Sequence, residues 1–152
     1  LIKSILVVCM GNLCRSPVGE RLLGSLLTDI VVNSAGLKAQ QGMPVDPTMC
    51  LVAGRHGIDL AAHRAQKFTL ESGIQHDLIL VMEADHLLSM NQSYPELSGK
   101  TLLFGHMVGK RDIPDPYRKS NEYYQVIYQL LGRAACAWGN VLGSGNITDE
   151  HK

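Results

Sequence analysis

Apolar residues along this chain follow two rhythms. Ile5-Leu6-Val7-Val8 and Leu78-Ile79-Leu80-Val81-Met82 are unbroken runs too short for helices, the pattern of strands buried on both faces. Ile30-Val31-Val32, ending at Asn33-Ser34-Ala35-Gly36, and Leu102-Leu103-Phe104 are predicted as two further strands. Between them the apolar positions recur at helical spacing. Leu22, Leu23, Leu26 and Leu27 form the stripe of a helix opened by Ser16-Pro17, with Pro17 at the first helical position. Pro47 opens a second helix, with Met49, Val52 and Ala53 turned inward and a stop near Gly57. A short third helix is predicted over 83–90. The last runs from about 122 to 142, with Tyr123, Ile127, Leu130, Ala134, Trp138 and Leu142 on one face. Residues 143–152 read as a frayed polar tail.

Short apolar strands alternating with amphipathic helices predict an α/β fold: a single-domain open four-stranded parallel sheet with helices on both faces. Ligands of such sheets bind beyond the carboxyl ends of the strands, where the strand order reverses. Chemistry is therefore expected in the loop after the first strand.

Composition narrows the partners. Lys plus Arg and Asp plus Glu number 14 each, so no global field draws in nucleic acid or an anionic membrane, and any attraction for an anion must be local. No apolar run spans a bilayer, and Leu1-Ile2-Lys3-Ser4 leads into the first strand without a signal-peptide pattern. The expectation is a cytoplasmic protein with no membrane insertion. Four cysteines without a C-x-x-C pair or zinc-like spacing predict no metal, no cofactor and a reducing compartment.

The loop after the first strand reads Cys9-Met10-Gly11-Asn12-Leu13-Cys14-Arg15-Ser16-Pro17. Gly11 and Asn12 tolerate left-handed backbone angles, which lets successive N–H groups point into one concavity at a helix N-terminus. Such a nest holds an oxyanion without a metal. Cys9 at its start faces those N–H groups and the helix dipole, both of which favour a thiolate. Arg15 closes the loop with a planar fork suited to two phosphoryl oxygens. Ser16 is placed either to donate its hydroxyl to the sulfur or to cap the helix.

These residues resemble the signature loop of the low-molecular-weight protein tyrosine phosphatases. The resemblance continues through Asn33-Ser34-Ala35-Gly36, His63, residues 77–82 and Asp115-Pro116-Tyr117. Gly99-Lys100 to Phe104-Gly105-His106, with Ile113 to Ser120, looks like the bacterial branch encoded with capsule and exopolysaccharide genes. The resemblance implies hydrolysis of protein phosphotyrosine through a phosphocysteine on Cys9, with Arg15 and the loop residues Met10, Gly11, Asn12, Leu13, Cys14 and Ser16 binding phosphate. It also implies a membrane tyrosine autokinase as the phosphotyrosine substrate.

A phenolic leaving group needs a proton donor. The residues alone leave Asp112 and Asp115 equal; the resemblance selects Asp115. It further implies that Ser34 and His63 support Asn12, that Leu13 and Tyr117 wall the substrate slot, and that Cys14 pairs with Cys9 on oxidation. Where relatives carry a second Arg after the supporting His, this chain has His63-Arg64-Ala65-Gln66-Lys67. Many relatives place an aromatic wall residue in the loop after the second strand. Here 37–42 has none, and Gln40 is expected at the wall, opening that side and making it polar. Cys50 and Cys136 are expected in the core.

Three rivals fit less well. An arsenate reductase of this fold needs two further cysteines after the third strand, and 77–109 has none. A protein-arginine phosphatase carries Thr at the position of Leu13. A non-catalytic phosphotyrosine-binding module would be expected to lack the nucleophile or the acid, yet Cys9, Arg15 and Asp115 are all present.

Overall fold

The computed structural model describes residues 1–143; beyond Gly143, the expected tail lies outside the described residues. Four strands form one parallel sheet: β1 (Ser4–Cys9), β2 (Val31–Gly36), β3 (Leu78–Val81) and β4 (Thr101–Leu103), in the order β2-β1-β3-β4. Helices α1 (Arg15–Leu26), α2 (Pro47–Arg55), α3 (Leu70–Gln75), α4 (Ala84–Ser93) and α5 (Asn121–Leu142) complete the architecture. No helix among the described residues is long and apolar enough to cross a membrane.

The alternation of side chains along a strand divides the core in two. Ile5, Val7, Leu78 and Leu80 pack against α1, α2 and α5, whereas Leu6, Val8, Ile79 and Val81 face Phe68, Met90 of α4 and Leu97. Both faces of β1 and β3 are therefore covered, which is why their sequences lack the polar alternation of a half-exposed sheet. β2 is an edge strand, and Val31 at its start is 60% exposed. The chain leaves β1 toward β2 and returns across it to β3, so the order reverses between β1 and β3. The loop after Cys9 opens there.

Several helices differ in detail from the sequence expectation. α1 begins at Arg15, with Cys14 as its N-cap and Pro17 third in the helix rather than first; the missing N–H costs nothing there, because the first turn has no intrahelical acceptors. Ser16 thus lies inside the first turn and does not cap. Leu23 and Leu27 are buried, but Leu26 is 46% exposed, its side chain lying over Gly139 of α5. On α5 the buried residues are Tyr124, Ile127, Tyr128, Leu130, Leu131, Ala134, Ala135 and Trp138, with Tyr123 and Leu142 only partly buried at the margin. The helix packs on both α1 and α2 and needs a wider stripe than one row. α4 runs three residues past the expected end. α3 was not anticipated; Thr69 starts it by exchanging capping hydrogen bonds with Ser72. Cys136 is exposed and Cys50 half-buried, so neither is a core residue, whereas Trp138 is, donating its indole N–H to the Phe104 carbonyl at 2.8 Å.

Gly36 decides how closely the loop after β1 can sit on β2. It pairs with Cys9 in the sheet register, and a Cβ there would lie 2.6 Å from the Met10 carbonyl oxygen and 2.8 Å from the Asn12 amide nitrogen. Backbone cannot yield as a side chain can, so Gly36→Ala is expected to cost about 2 kcal/mol or more. Urea denaturation checks this; an unchanged midpoint would show that the loop has room to retreat.

Candidate active site

From Cys9 to Leu13 the chain turns its carbonyls outward, and four of them find a donor. Cys9 O accepts from Leu37 N at 2.9 Å, Met10 O from Lys38 N at 2.8 Å and Leu13 O from Asp46 N at 2.9 Å, while Asn12 O is 3.0 Å from His63 Nε2. Turning carbonyls out turns the intervening amides toward the concave side, which the N-terminus of α1 closes.

The bend requires a positive φ at Asn12, 56°. Its buried side chain makes three hydrogen bonds that hold it, using both amide N–H donors. Nδ2 donates to Ser16 Oγ at 2.7 Å and to Ser34 Oγ at 3.0 Å, and Oδ1 accepts from Gln66 N at 2.9 Å. Ser34 in turn donates to Glu20 Oε1 at 2.5 Å, and His63 Nδ1 lies 4.0 Å from the same carboxylate oxygen. Ser34 and His63 thus both contact Asn12. Glu20 and Gln66 were missed. Glu20 sits one turn into α1 and could have been suspected there; Gln66 acts through its backbone and leaves no sequence signal.

Cys9 Sγ, buried at the end of β1, is 2.9 Å from Ser16 Oγ. Because that hydroxyl already accepts from Asn12, its own proton is available to the sulfur. Arg15 is also buried. Nη1 donates to Glu83 Oε2 at 2.5 Å and to the Ile113 carbonyl at 2.8 Å, and Nη2 lies 3.9 Å from Asp115 Oδ2. Glu83 was not singled out from sequence, although it follows β3 beside β1, where the order reverses.

A cleft of about 400 Å³ opens over the loop, with Cys9, Cys14 and Arg15 among its lining residues and Asp115 and Tyr117 from the loop before α5. Leu13 also lines it, together with Met43, Pro44 and Pro47. Gln40 does not: it is exposed, and the Met43 N–H bonds back to its carbonyl in a turn that carries Met43 to the cleft instead. That wall is apolar, not polar. Within one loop the two candidate acids part company. Asp112 accepts the Ala84 N–H at 2.9 Å, capping α4 from outside, whereas Asp115 is 51% exposed and opens on the cleft.

Burial pushes the Cys14 thiol well above its ordinary range, and Cys9, Asp46 and Asp115 nearby push it further. Tyr124 is likewise raised by burial and by the nearby Asp46 carboxylate. The arrangement can hold a tetrahedral oxyanion against buried sulfur, with a guanidinium beside it and a carboxyl group above.

Such a loop at the switch point of a parallel sheet is built to hold an oxyanion beside a cysteine. The chain belongs to the low molecular weight phosphotyrosine protein phosphatase family, whose model matches residues 4–145. It is a protein-tyrosine phosphatase, a phosphoric monoester hydrolase. It is 46% identical over 142 residues to the probable low molecular weight protein-tyrosine-phosphatase AmsI of Erwinia amylovora, covering 93% of this chain and 99% of that one. To the low molecular weight protein-tyrosine-phosphatase Wzb of Escherichia coli K12 it is 42% identical over 147 residues, 97% and 100% of the two chains. The structure of Vibrio vulnificus Wzb in complex with benzylphosphonate superposes with a TM-score of 0.90 at 45% identity, over 93% of this chain and 100% of that one.

The cysteines differ enough to be told apart chemically. At pH 8 iodoacetamide is expected to alkylate exposed Cys136 and to leave Cys14 unmodified, since its thiolate is disfavoured and its sulfur buried. Peptide mass mapping reads the outcome, and rapid labelling of Cys14 would contradict the buried environment.

Proposed function

We propose that the chain hydrolyses protein phosphotyrosine in two displacements at phosphorus. Cys9 Sγ attacks, the phosphorus–oxygen bond to the tyrosine breaks, and Asp115 gives its proton to the departing phenolic oxygen. Asp115 then takes a proton from water as the water oxygen attacks the phosphocysteine. The phosphorus–sulfur bond breaks, inorganic phosphate forms, and the Ser16 hydroxyl donates to the sulfur as it leaves. The loop amides and the guanidinium edge of Arg15 not tied to Glu83 hold the equatorial oxygens in both steps.

The observation that carries this reading is the grouping of Cys9, Arg15 and Asp115 in one cleft with the Ser16 hydroxyl 2.9 Å from the sulfur. Apolar walls from Leu13, Met43 and Pro44, with Tyr117 beside them, suit a flat aromatic ring. Benzylphosphonate, bound by the Vibrio vulnificus relative, pairs such a ring with a phosphonate. Cys14 is assigned the recapture of an oxidised nucleophile, its thiol condensing with a Cys9 sulfenic acid to give a disulfide and water. The physiological substrate we assign is a membrane tyrosine autokinase of exopolysaccharide assembly, met from the cytoplasm. Similarity to AmsI and Wzb supports that assignment.

Cys9→Ser is expected to abolish turnover of aryl phosphates while leaving oxyanion binding in place, because the amides and Arg15 remain. Steady-state turnover in that variant would sink the covalent route.

Asp115→Asn is expected to act according to the leaving group. Phenyl phosphate, whose phenolate needs a proton, should slow by about 10²–10⁴-fold, and a phosphate ester of a strongly acidic phenol by much less. Asp112→Asn should show no such dependence, because Asp112 is engaged with the α4 N-terminus. Equal losses on both esters in Asp115→Asn would reduce its role to positioning.

A further inference from the structure

Glu83 holds Arg15 with one carboxylate oxygen, and a second buried group addresses that same atom. His86, 6% exposed in the first turn of α4, places Nε2 3.6 Å from Glu83 Oε2. Its other nitrogen, Nδ1, is buried and has no hydrogen-bond partner among the described residues. In a neutral imidazole one nitrogen carries the proton and the other is an acceptor. An N–H buried at Nδ1 with nothing to accept it would forfeit a bond, while an N–H at Nε2 has a carboxylate oxygen 3.6 Å away. The proton therefore belongs on Nε2.

The charges around the ring agree with a neutral histidine. Burial lowers its pKa, and Arg15 lowers it further, against the opposing pull of Glu83, Asp112 and Asp85. A neutral His86 offers Glu83 a dipole without competing with Arg15 for the carboxylate as a second cation would. Glu83 needs this restraint, because its side chain is 27% exposed and water is the alternative partner for its oxygens.

We propose that His86 is a positioning residue for phosphate binding, acting through Glu83 to hold the Arg15 fork in the orientation that receives the phosphoryl oxygens. The inference rests on Arg15 binding phosphate, as proposed above.

The test is a double-mutant cycle on the full chain. The readout is the inhibition constant of sulfate, whose charge is constant near neutral pH, measured against an aryl phosphate. His86→Leu is expected to raise that constant about three- to tenfold. His86→Gln, whose amide can place an N–H near the Nε2 position, should stay within about twofold. In a Glu83→Ala background His86→Leu should add almost nothing. Thermal unfolding of each variant runs alongside, and His86→Asn, whose shorter amide cannot reach Glu83, replaces His86→Leu if the latter does not fold. Equal effects with and without Glu83, or lower unfolding temperatures with unchanged sulfate inhibition, would overturn the proposal and leave His86 a packing residue. Arg15→Lys separates the two levels. If it leaves sulfate inhibition unchanged, Arg15 is not the phosphate ligand and both readings fall; if it weakens inhibition while the histidine variants do not, only the His86 step falls.

Discussion

A loop whose amides must all face one point cannot be built from ordinary backbone angles, and the left-handed turn at Asn12 is where this chain meets that demand. A side chain with a Cβ costs about 1 kcal/mol in that region. Three hydrogen bonds from the Asn12 side chain, each worth about 1 kcal/mol net, offset the strain and do so directionally. Their partners lie on α1, on β2 and on the segment before α3, so the loop cannot change shape without disturbing three parts of the fold. Glycine at this position would relieve the strain and lose all three bonds. The asparagine trades conformational ease for a fixed shape.

Other features follow from that shape. Outward carbonyls need donors, and they find them in Leu37 and Lys38 after β2, in Asp46 before α2 and in His63. Those segments must approach closely, which explains why β2 ends in a residue with no Cβ where the loop lies against it. The inward amides and the buried Arg15 concentrate positive charge in a chain whose total is balanced. Arg15 is satisfied by Glu83, by the Ile113 carbonyl and, at longer range, by Asp115. The attraction for phosphate proposed above is thus local, generated by a few groups over one cleft.

The parts of this arrangement that sequence revealed are those with a local signature. Continuous apolar runs marked β1 and β3, and the spacing of Cys9, Gly11, Asn12 and Arg15 marked the loop, because both patterns are written in adjacent residues. What escaped depended on contacts between distant segments. Glu83 carries no motif, and its relation to Arg15 exists only once β3 lies beside β1. The wall passed from Gln40 to Met43 because a tight turn, not the residue types, decides which side chain reaches the cleft. α3 is six residues long and has too little periodicity to detect. The buried face of α5 depends on two neighbouring helices, which one helical period cannot represent.

The loop before α5 shows how such contacts distinguish two like residues. Asp112 and Asp115 are three positions apart and equivalent in type. Asp112 is held by the α4 N-terminus, and the next residue, Ile113, is buried, donating its N–H to Met82 at 2.8 Å and offering its carbonyl to Arg15. These bonds anchor the loop to the end of β3 and to the cation beneath the cleft. Asp115, two residues further on, is held less closely: its Oδ1 accepts the nearby Tyr117 N–H at 3.1 Å, its Oδ2 lies 3.9 Å from Arg15 Nη2, and half its surface is open. A carboxyl group proposed to give up a proton and later take one is best left without several close hydrogen bonds to fix its charge. Its place on the cleft is set by the backbone behind it, so in the proposed reaction the anchoring and the proton transfer fall to different residues of one short loop.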